Sequence, residues 1–215
     1  MPHGLIPALA CVLIGYLCGA VPTGLWLGWW LRRVDVRTLG SGNLGATNVY
    51  RALGPGIGIA TLLIDIAKGA LPVWLLPGSA LGAGFPGGPE WCRIAVGFAA
   101  VAGHVWTIFA GFRGGKGVAT TVGVLLALSP IAFAAFAVVF VATVAITRWI
   151  SLGSILGSAV FAATLGVAQA AGVRSPTFGF GVAIAALVIL RHRGNIGRLL
   201  RGEEPRFIFR SGGRA

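Results

Sequence analysis

The segment Gly103 to Thr120, GHVWTIFAGFRGGKGVAT, sets a histidine, two cations and a cluster of glycines between strongly apolar stretches. In Arg113-Gly114-Gly115-Lys116-Gly117 the glycines free the backbone to turn its amides toward an anion, and two fixed charges flank them. From Val118 onward the chain reads as an apolar helix, whose first turn presents N–H groups and the positive end of its dipole to the same anion. The chemistry this suits is a cradle for phosphate or carboxylate. A plainer alternative is a basic loop on the cytoplasmic side of a membrane protein. A nucleotide P-loop is excluded, because Ala110 stands where that motif needs glycine and Gly117 where it needs Ser or Thr.

A second glycine-rich segment runs from Gly40 to Asn48. Ser41, Gly42, Asn43, Gly45, Ala46, Thr47 and Asn48 alternate small residues with hydroxyl and amide side chains, which is material for encircling a phosphate or for an N-capped turn. Arg51 follows Asn48 at helical spacing. Asp65 and Lys68 are ionisable residues inside an apolar run, where each costs roughly 2.5 to 3.5 kcal/mol if unpaired. Three residues apart, they share a helical face, so an ion pair and a substrate contact for the Lys68 ammonium are both compatible with the pattern. Gly69 follows, and Pro72 leaves the Lys68 carbonyl without its helical partner. His104 lies in an apolar context where a lone histidine more often packs than catalyses. Ser151, His192 and Asn195 sit at the ends of later apolar runs, the last two among Arg191, Arg193 and Arg198.

The elements that must position these groups are membrane helices. Hydrophobic residues make up 56% of the chain and charged residues only 10%, against roughly 25% charged in soluble domains. A chain of 215 residues holds about seven spans of ~20 residues. The expectation is therefore an all-α integral membrane protein, a single polytopic domain over residues 1–215. The apolar runs are Leu5 to Leu31, Pro55 to Leu76, Trp91 to Phe112, Val118 to Leu128, Ile131 to Thr147, Leu152 to Ala171 and Thr177 to Leu190. Gly78 to Pro89 reads as an irregular loop. Cys11, Cys18 and Cys92 lack any ligand spacing, so no metal site is expected.

Alternating these spans from a periplasmic N-terminus places fifteen of the seventeen Lys and Arg residues on one side, with Arg93 and Arg174 on the other. That bias marks the rich side, and the C-terminus, as cytoplasmic. The net charge of +12 is thus absorbed by topology and needs no nucleic acid. All the glycine-rich and polar segments then fall on the cytoplasmic face, where they are expected to meet.

Three motifs in this order, GSGNLGATNVYR (Gly40 to Arg51), KGALPV (Lys68 to Val73) and the Gly103 to Thr120 segment, with HRGNIGRLL (His192 to Leu200) near the end, resemble the bacterial acyl-phosphate:glycerol-3-phosphate acyltransferases. These are small inner-membrane enzymes that begin phospholipid synthesis. The resemblance implies seven helices, a site facing the cytoplasm, no cofactor, no metal and no acyl-CoA. It implies acyl transfer from acyl phosphate to the 1-hydroxyl of glycerol 3-phosphate, giving lysophosphatidic acid and phosphate. An enzyme making acyl phosphate would be its pathway neighbour.

Residue by residue, the resemblance gives catalytic roles to Ser41, Lys116 and His104. It assigns acyl phosphate to Gly42, Asn43, Gly45, Ala46, Thr47, Asn48, Gly114 and Gly115, and glycerol 3-phosphate to Arg51, Lys68, Gly69, Ser151, His192 and Asn195. The base is either the donor phosphate itself or one of His104 and His192. Thr107 stands where the family usually has proline, Arg113 where it has lysine, and Gly194 where it is commonly acidic. A transporter of phosphate or a small phosphorylated anion is the alternative from another class.

Overall fold

The computed structural model describes residues 4–208, and among them regular structure is helical. They form two compact units, residues 4–128 and 129–208. Among the described residues Pro55–Gly78, Pro89–Ala110, Pro130–Thr147 and Ile150–Ala170 are each long and apolar enough to cross a bilayer, and the number reaches six if each of two bent helix pairs counts as one span. Val118–Leu128, at 11 residues, extends only about 16 Å, roughly half a hydrocarbon core.

The first unit begins with α1 (Leu5–Ala20) and α2 (Thr23–Arg32), bent by 40°. The sequence reads Leu5 to Leu31 as one run; Pro22, with no N–H and a ring that crowds the preceding turn, divides it. A 3₁₀ turn at Val36–Thr38, capped by Asp35, leads through the first glycine-rich segment into α3 (Ala46–Leu53) and α4 (Pro55–Leu75). The short α5 (Ala80–Ala83) occupies part of the stretch expected to be irregular, with Ser79 accepting from the Gly82 amide at its start. Next come α6 (Pro89–Val105) and α7 (Val118–Leu128). Proline at the first position starts α4 and α6, where its missing N–H costs nothing.

Small residues let these helices touch backbone to backbone, the usual means of association where lipid removes the hydrophobic drive between helices. A Cβ on Gly19 would overlap the Ala100 carbonyl, and one on Gly103 the Tyr16 carbonyl, so α1 and α6 are in direct contact. Gly69 and Gly123 do the same between α4 and α7, against the carbonyls of Thr120 and Ile66. Leu25, Val36, Leu44, Val49, Ile57 and Ala110 form a buried cluster that seats the first glycine-rich segment on α2.

The second unit comprises α8 (Pro130–Thr147), α9 (Ile150–Ala170), α10 (Thr177–Arg191) and α11 (Arg193–Leu200). Gly153 and Gly157 of α9 receive Phe140 and Phe136 of α8. Beyond α11 the chain turns back along the α8–α9 turn, where the Phe207 amide donates to the Arg148 carbonyl at 2.6 Å.

Candidate active site

In the first unit the three motifs converge on the break between α1 and α2. Where Pro22 interrupts the helix, carbonyls near the break lose their ordinary i+4 partners; the Val21 carbonyl accepts from the Thr23 amide at 3.0 Å, and side chains reach the break as well. Lys68 Nζ donates to the Val21 carbonyl at 2.6 Å. Thr107 Oγ1 donates to the Ala20 carbonyl and accepts from the Phe109 amide. Gly24, just beyond the break, lies against the Leu44 carbonyl so closely that a Cβ there would overlap it. One helical break therefore ties together the second motif, the third and the first.

Lys68 and Asp65 form a buried ion pair at 2.8 Å, with side-chain exposures of 7% and 2%. His104 Nδ1 stands 3.8 Å from Asp65 Oδ1. Over the same histidine runs the glycine-rich turn, whose Gly115 and Gly114 amides donate to the carbonyls of His104 and Val105 at 3.2 and 3.1 Å. A Cβ at Gly115 would overlap His104 Nε2, and one at Gly114 the His104 carbonyl. The turn is thus laid on the imidazole with no room to spare, and Lys116 follows it half-buried. Gly117, at φ 84°, redirects the chain into α7, so the helix starts where the sequence places it.

The first glycine-rich segment is closed by its own amides. Asn48 is buried; its Oδ1 accepts from the Ser41 amide at 3.0 Å and its Nδ2 donates to the carbonyls of Asn43 and Leu39 at 3.0 and 3.1 Å. Asn43 Oδ1 accepts from the Gly45 amide at 2.8 Å, and Gly42 turns at φ 68°. Ser41 and Arg51 are exposed, and Thr47 and Ala46 open α3 half-buried. Both asparagines hold the loop's shape with their side chains.

Leu9, Val12, Leu13 and Tyr16 of α1 and Ala99 and Ala102 of α6 line an apolar groove of about 480 Å³. At its inner end the Tyr16 hydroxyl donates to the Trp106 carbonyl at 2.7 Å.

In the second unit Ser151, Asn195 and His192 are buried. Ser151 Oγ and Asn195 Nδ2 both donate to Glu204 Oε1 at 2.6 Å, and Arg198 Nε donates to Glu204 Oε2 at 2.8 Å. Burial pushes the Glu204 carboxyl up, but these donors outweigh it and hold it below its ordinary 4.5. His192 Nδ1 lies 2.7 Å from the Val188 carbonyl.

Sequence reasoning names Lys68, His104, Gly115, Ser151 and Asn195, and does not name Thr107 as a contact, the Val21 carbonyl or Glu204. A proline inside an apolar run is the available signal for the carbonyl; Glu204, one of two adjacent acids in a basic tail, has none. Among the described residues no group of three His, Cys, Asp or Glu stands close enough to hold a metal ion.

Residues 9–202 match the family model described as glycerol-3-phosphate acyltransferase. A protein of that name from Anaeromyxobacter sp. (strain Fw109-5) is 47% identical over 202 residues, covering 92% of this chain and 95% of the relative. Another, from Geobacter sulfurreducens, is 48% identical and covers 93% and 97%. Among solved structures, PlsY (YgiH), an integral membrane glycerol 3-phosphate acyltransferase in its glycerol 3-phosphate form, is 39% identical. It superposes with a TM-score of 0.82 over 93% of this chain and 95% of its own. Its lysophosphatidic acid form gives a TM-score of 0.80 at 38% identity.

Proposed function

Since this chain belongs to the glycerol-3-phosphate acyltransferase family, we propose that it transfers a fatty acyl group from acyl phosphate to the 1-hydroxyl of glycerol 3-phosphate. It is a multi-pass membrane acyltransferase of lipid synthesis by that membership. The proposal adds the donor, the residues, seven spans with α7 as the short fourth, and a site facing the cytoplasm of the inner membrane. The observation that carries it is the convergence of all three motifs on the α1–α2 break, which gathers two amide-rich turns and a buried lysine within one unit.

The reaction asks little of the protein beyond alignment and charge. The 1-hydroxyl oxygen attacks the acyl carbonyl carbon, a C–O bond forms, and the carbon–phosphate-oxygen bond breaks with its electron pair leaving on phosphate. Phosphate is a good leaving group, so the protein's contribution is to orient the hydroxyl, stabilise the oxyanion and neutralise the departing charge. The amides between Gly42 and Thr47 that the loop leaves unbonded, with Ser41, hold the acyl phosphate, and Gly114 and Gly115, whose own amides bond the Val105 and His104 carbonyls, shape the turn that brings Lys116 to the developing charge. Asn43 and Asn48 act by fixing the loop, and Lys68 with Gly69 and Arg51 serves glycerol 3-phosphate. For the second unit, taken by itself, Ser151, His192 and Asn195 are put forward as ligands for glycerol 3-phosphate. His104 is packed under the Gly114–Gly115 turn and supports it, so the donor phosphate itself takes the hydroxyl proton. The apolar α1–α6 groove receives the acyl chain.

Purified protein in detergent, given acyl phosphate with and without glycerol 3-phosphate, tests this. Phosphate and lysophosphatidic acid should appear together, only with both substrates, and acyl-CoA should not replace the donor. Anion flux in liposomes with no lysophosphatidic acid formed would favour a transporter instead.

A further inference from the structure

A threonine to which no role has been given stands where the third motif leaves α6. Thr107 is 1% exposed, whereas Trp106, Ile108, Phe109 and Phe112 around it face outward. A buried hydroxyl needs partners, and this one has two: it donates to the Ala20 carbonyl at the end of α1 and accepts from the Phe109 amide at 3.2 Å. Its backbone carbonyl accepts from the Ala110 and Phe112 amides at 3.2 and 2.8 Å. Thr107 therefore both holds the turn together and fastens it to another helix.

The turn needs holding. After Gly111 at φ 64°, Phe112 lies at φ 60°, a left-handed conformation uncommon for any residue but glycine. These two residues reverse the chain, so that Gly114 and Gly115 run back over His104 and Lys116 follows them. Two consecutive carbonyls of the α1–α2 break then serve as reference points, since Ala20 takes the Thr107 hydroxyl and Val21 takes Lys68 Nζ at 2.6 Å. The peptide unit that joins them is planar and stiff. The anchor of the Lys116 turn and the ammonium of Lys68 are thus referred to neighbouring points on one piece of backbone.

We propose that Thr107 is a positioning residue that sets the turn carrying Lys116 in register with Lys68, so that the acyl donor and glycerol 3-phosphate are aligned for attack. This rests on the reading of Lys116 as the cation at the developing charge and of Lys68 as a glycerol 3-phosphate ligand, and it adds what relates the two. Thr107 acts through the turn and touches neither substrate. Because it aligns two substrates that are held by other groups, its loss lowers turnover more than it weakens the binding of either. The packing of α1 on α6 does not hang on it: Gly19 still meets Ala100, Gly103 still meets Tyr16, and the Tyr16 hydroxyl still donates to the Trp106 carbonyl at 2.7 Å.

The test uses the full-length protein in detergent, with Thr107→Val, which keeps the shape and removes the hydroxyl, and Thr107→Ser, which keeps the hydroxyl. Titration with a non-hydrolysable acyl phosphonate counts the intact sites and gives the donor-site affinity. Lysophosphatidic acid formation then gives kcat per intact site and the KM for glycerol 3-phosphate. In Thr107→Val, kcat per site falls about tenfold, while the phosphonate affinity and the glycerol 3-phosphate KM stay within about threefold of wild type. Thr107→Ser keeps kcat within about threefold. Wild-type kcat per site in Thr107→Val overturns the inference, as does a loss that appears in the phosphonate affinity or the KM and not in kcat. A Thr107→Val that fails to fold makes the hydroxyl a folding element and overturns it too. So does a folded Thr107→Ser whose kcat is down about tenfold, whether or not Thr107→Val folds. Wild-type protein that forms no lysophosphatidic acid from acyl phosphate and glycerol 3-phosphate would sink the acyltransfer reading itself, whereas the variant results bear on Thr107 alone.

Discussion

Replacing Gly115 by alanine adds one methyl group where the glycine-rich turn crosses His104. Ordinary contact with a Cβ begins near 3.4 Å, and the added carbon would sit more than about 1 Å inside it, against Nε2 of the ring. The imidazole has little space to yield, since His104 is only 6% exposed and its own carbonyl receives the Gly115 amide. The turn must therefore lift by about 1 Å, and with it Lys116, which is proposed to meet the donor phosphate. A displacement of that size at a positioned group costs on the order of 10²-fold in rate. Steady-state lysophosphatidic acid formation should show kcat of Gly115→Ala down about 100-fold, with Gly56→Ala, where a Cβ meets nothing within 4 Å, close to wild type. If the ring is what the methyl strikes, His104→Ala makes room for it, and Gly115→Ala in that background costs well under tenfold more. Wild-type activity in Gly115→Ala, or two losses that simply multiply in the double variant, would refute the reasoning.

Removing Asp65 as Asp65→Asn leaves Lys68 buried without its counter-charge and should lower stability by about 3–5 kcal/mol, whereas Asp65→Leu with Lys68→Met should lose less; thermal denaturation in detergent ranks the two. Because Glu204 titrates below its ordinary 4.5 when folded, its stabilisation is present above that value and is lost as pH falls through the depressed folded pKa. With only five acidic residues in the chain, a melting-temperature profile below pH 4.5 should flatten visibly in Glu204→Gln. Filling the α1–α6 groove with Ala99→Phe or Ala102→Phe should slow palmitoyl phosphate far more than a short-chain acyl phosphate, and equal slowing of both would remove the groove from acyl binding.

Much of the candidate site is legible in the chain because its residues are expensive. Asp65 and Lys68 stand out in an apolar run only if something in the fold compensates them, and here each compensates the other. The glycines of 111–117 stand out because so flexible a run serves no purpose in a plain connector. What escapes are contacts whose partners are backbone atoms or ordinary tail residues. Val21 becomes a ligand of Lys68 only because Pro22 divides a run that composition presents as continuous. Thr107 reads as a departure from a family pattern, yet its hydroxyl bridges the Ala20 carbonyl and the Phe109 amide in the turn. Asn48 carries both a donor and an acceptor and so suits a phosphate or a loop equally; burial assigns its side chain to the loop. Glu203 and Glu204 are indistinguishable by sequence, and packing alone buries the second and leaves the first exposed.

The central claim is that the unbonded amides between Gly42 and Thr47, with Lys116 carried on the Gly114–Gly115 turn, form the seat of the donor phosphate in the first unit. A crystal structure with a non-hydrolysable acyl phosphonate bound tests it most directly. The expected result is phosphonate oxygens at about 3 Å from amides of the Gly42 to Thr47 segment and from the Lys116 ammonium, with the alkyl chain entering the α1–α6 groove. A phosphonate seated away from both glycine-rich turns, with Lys116 turned from it, would contradict the account.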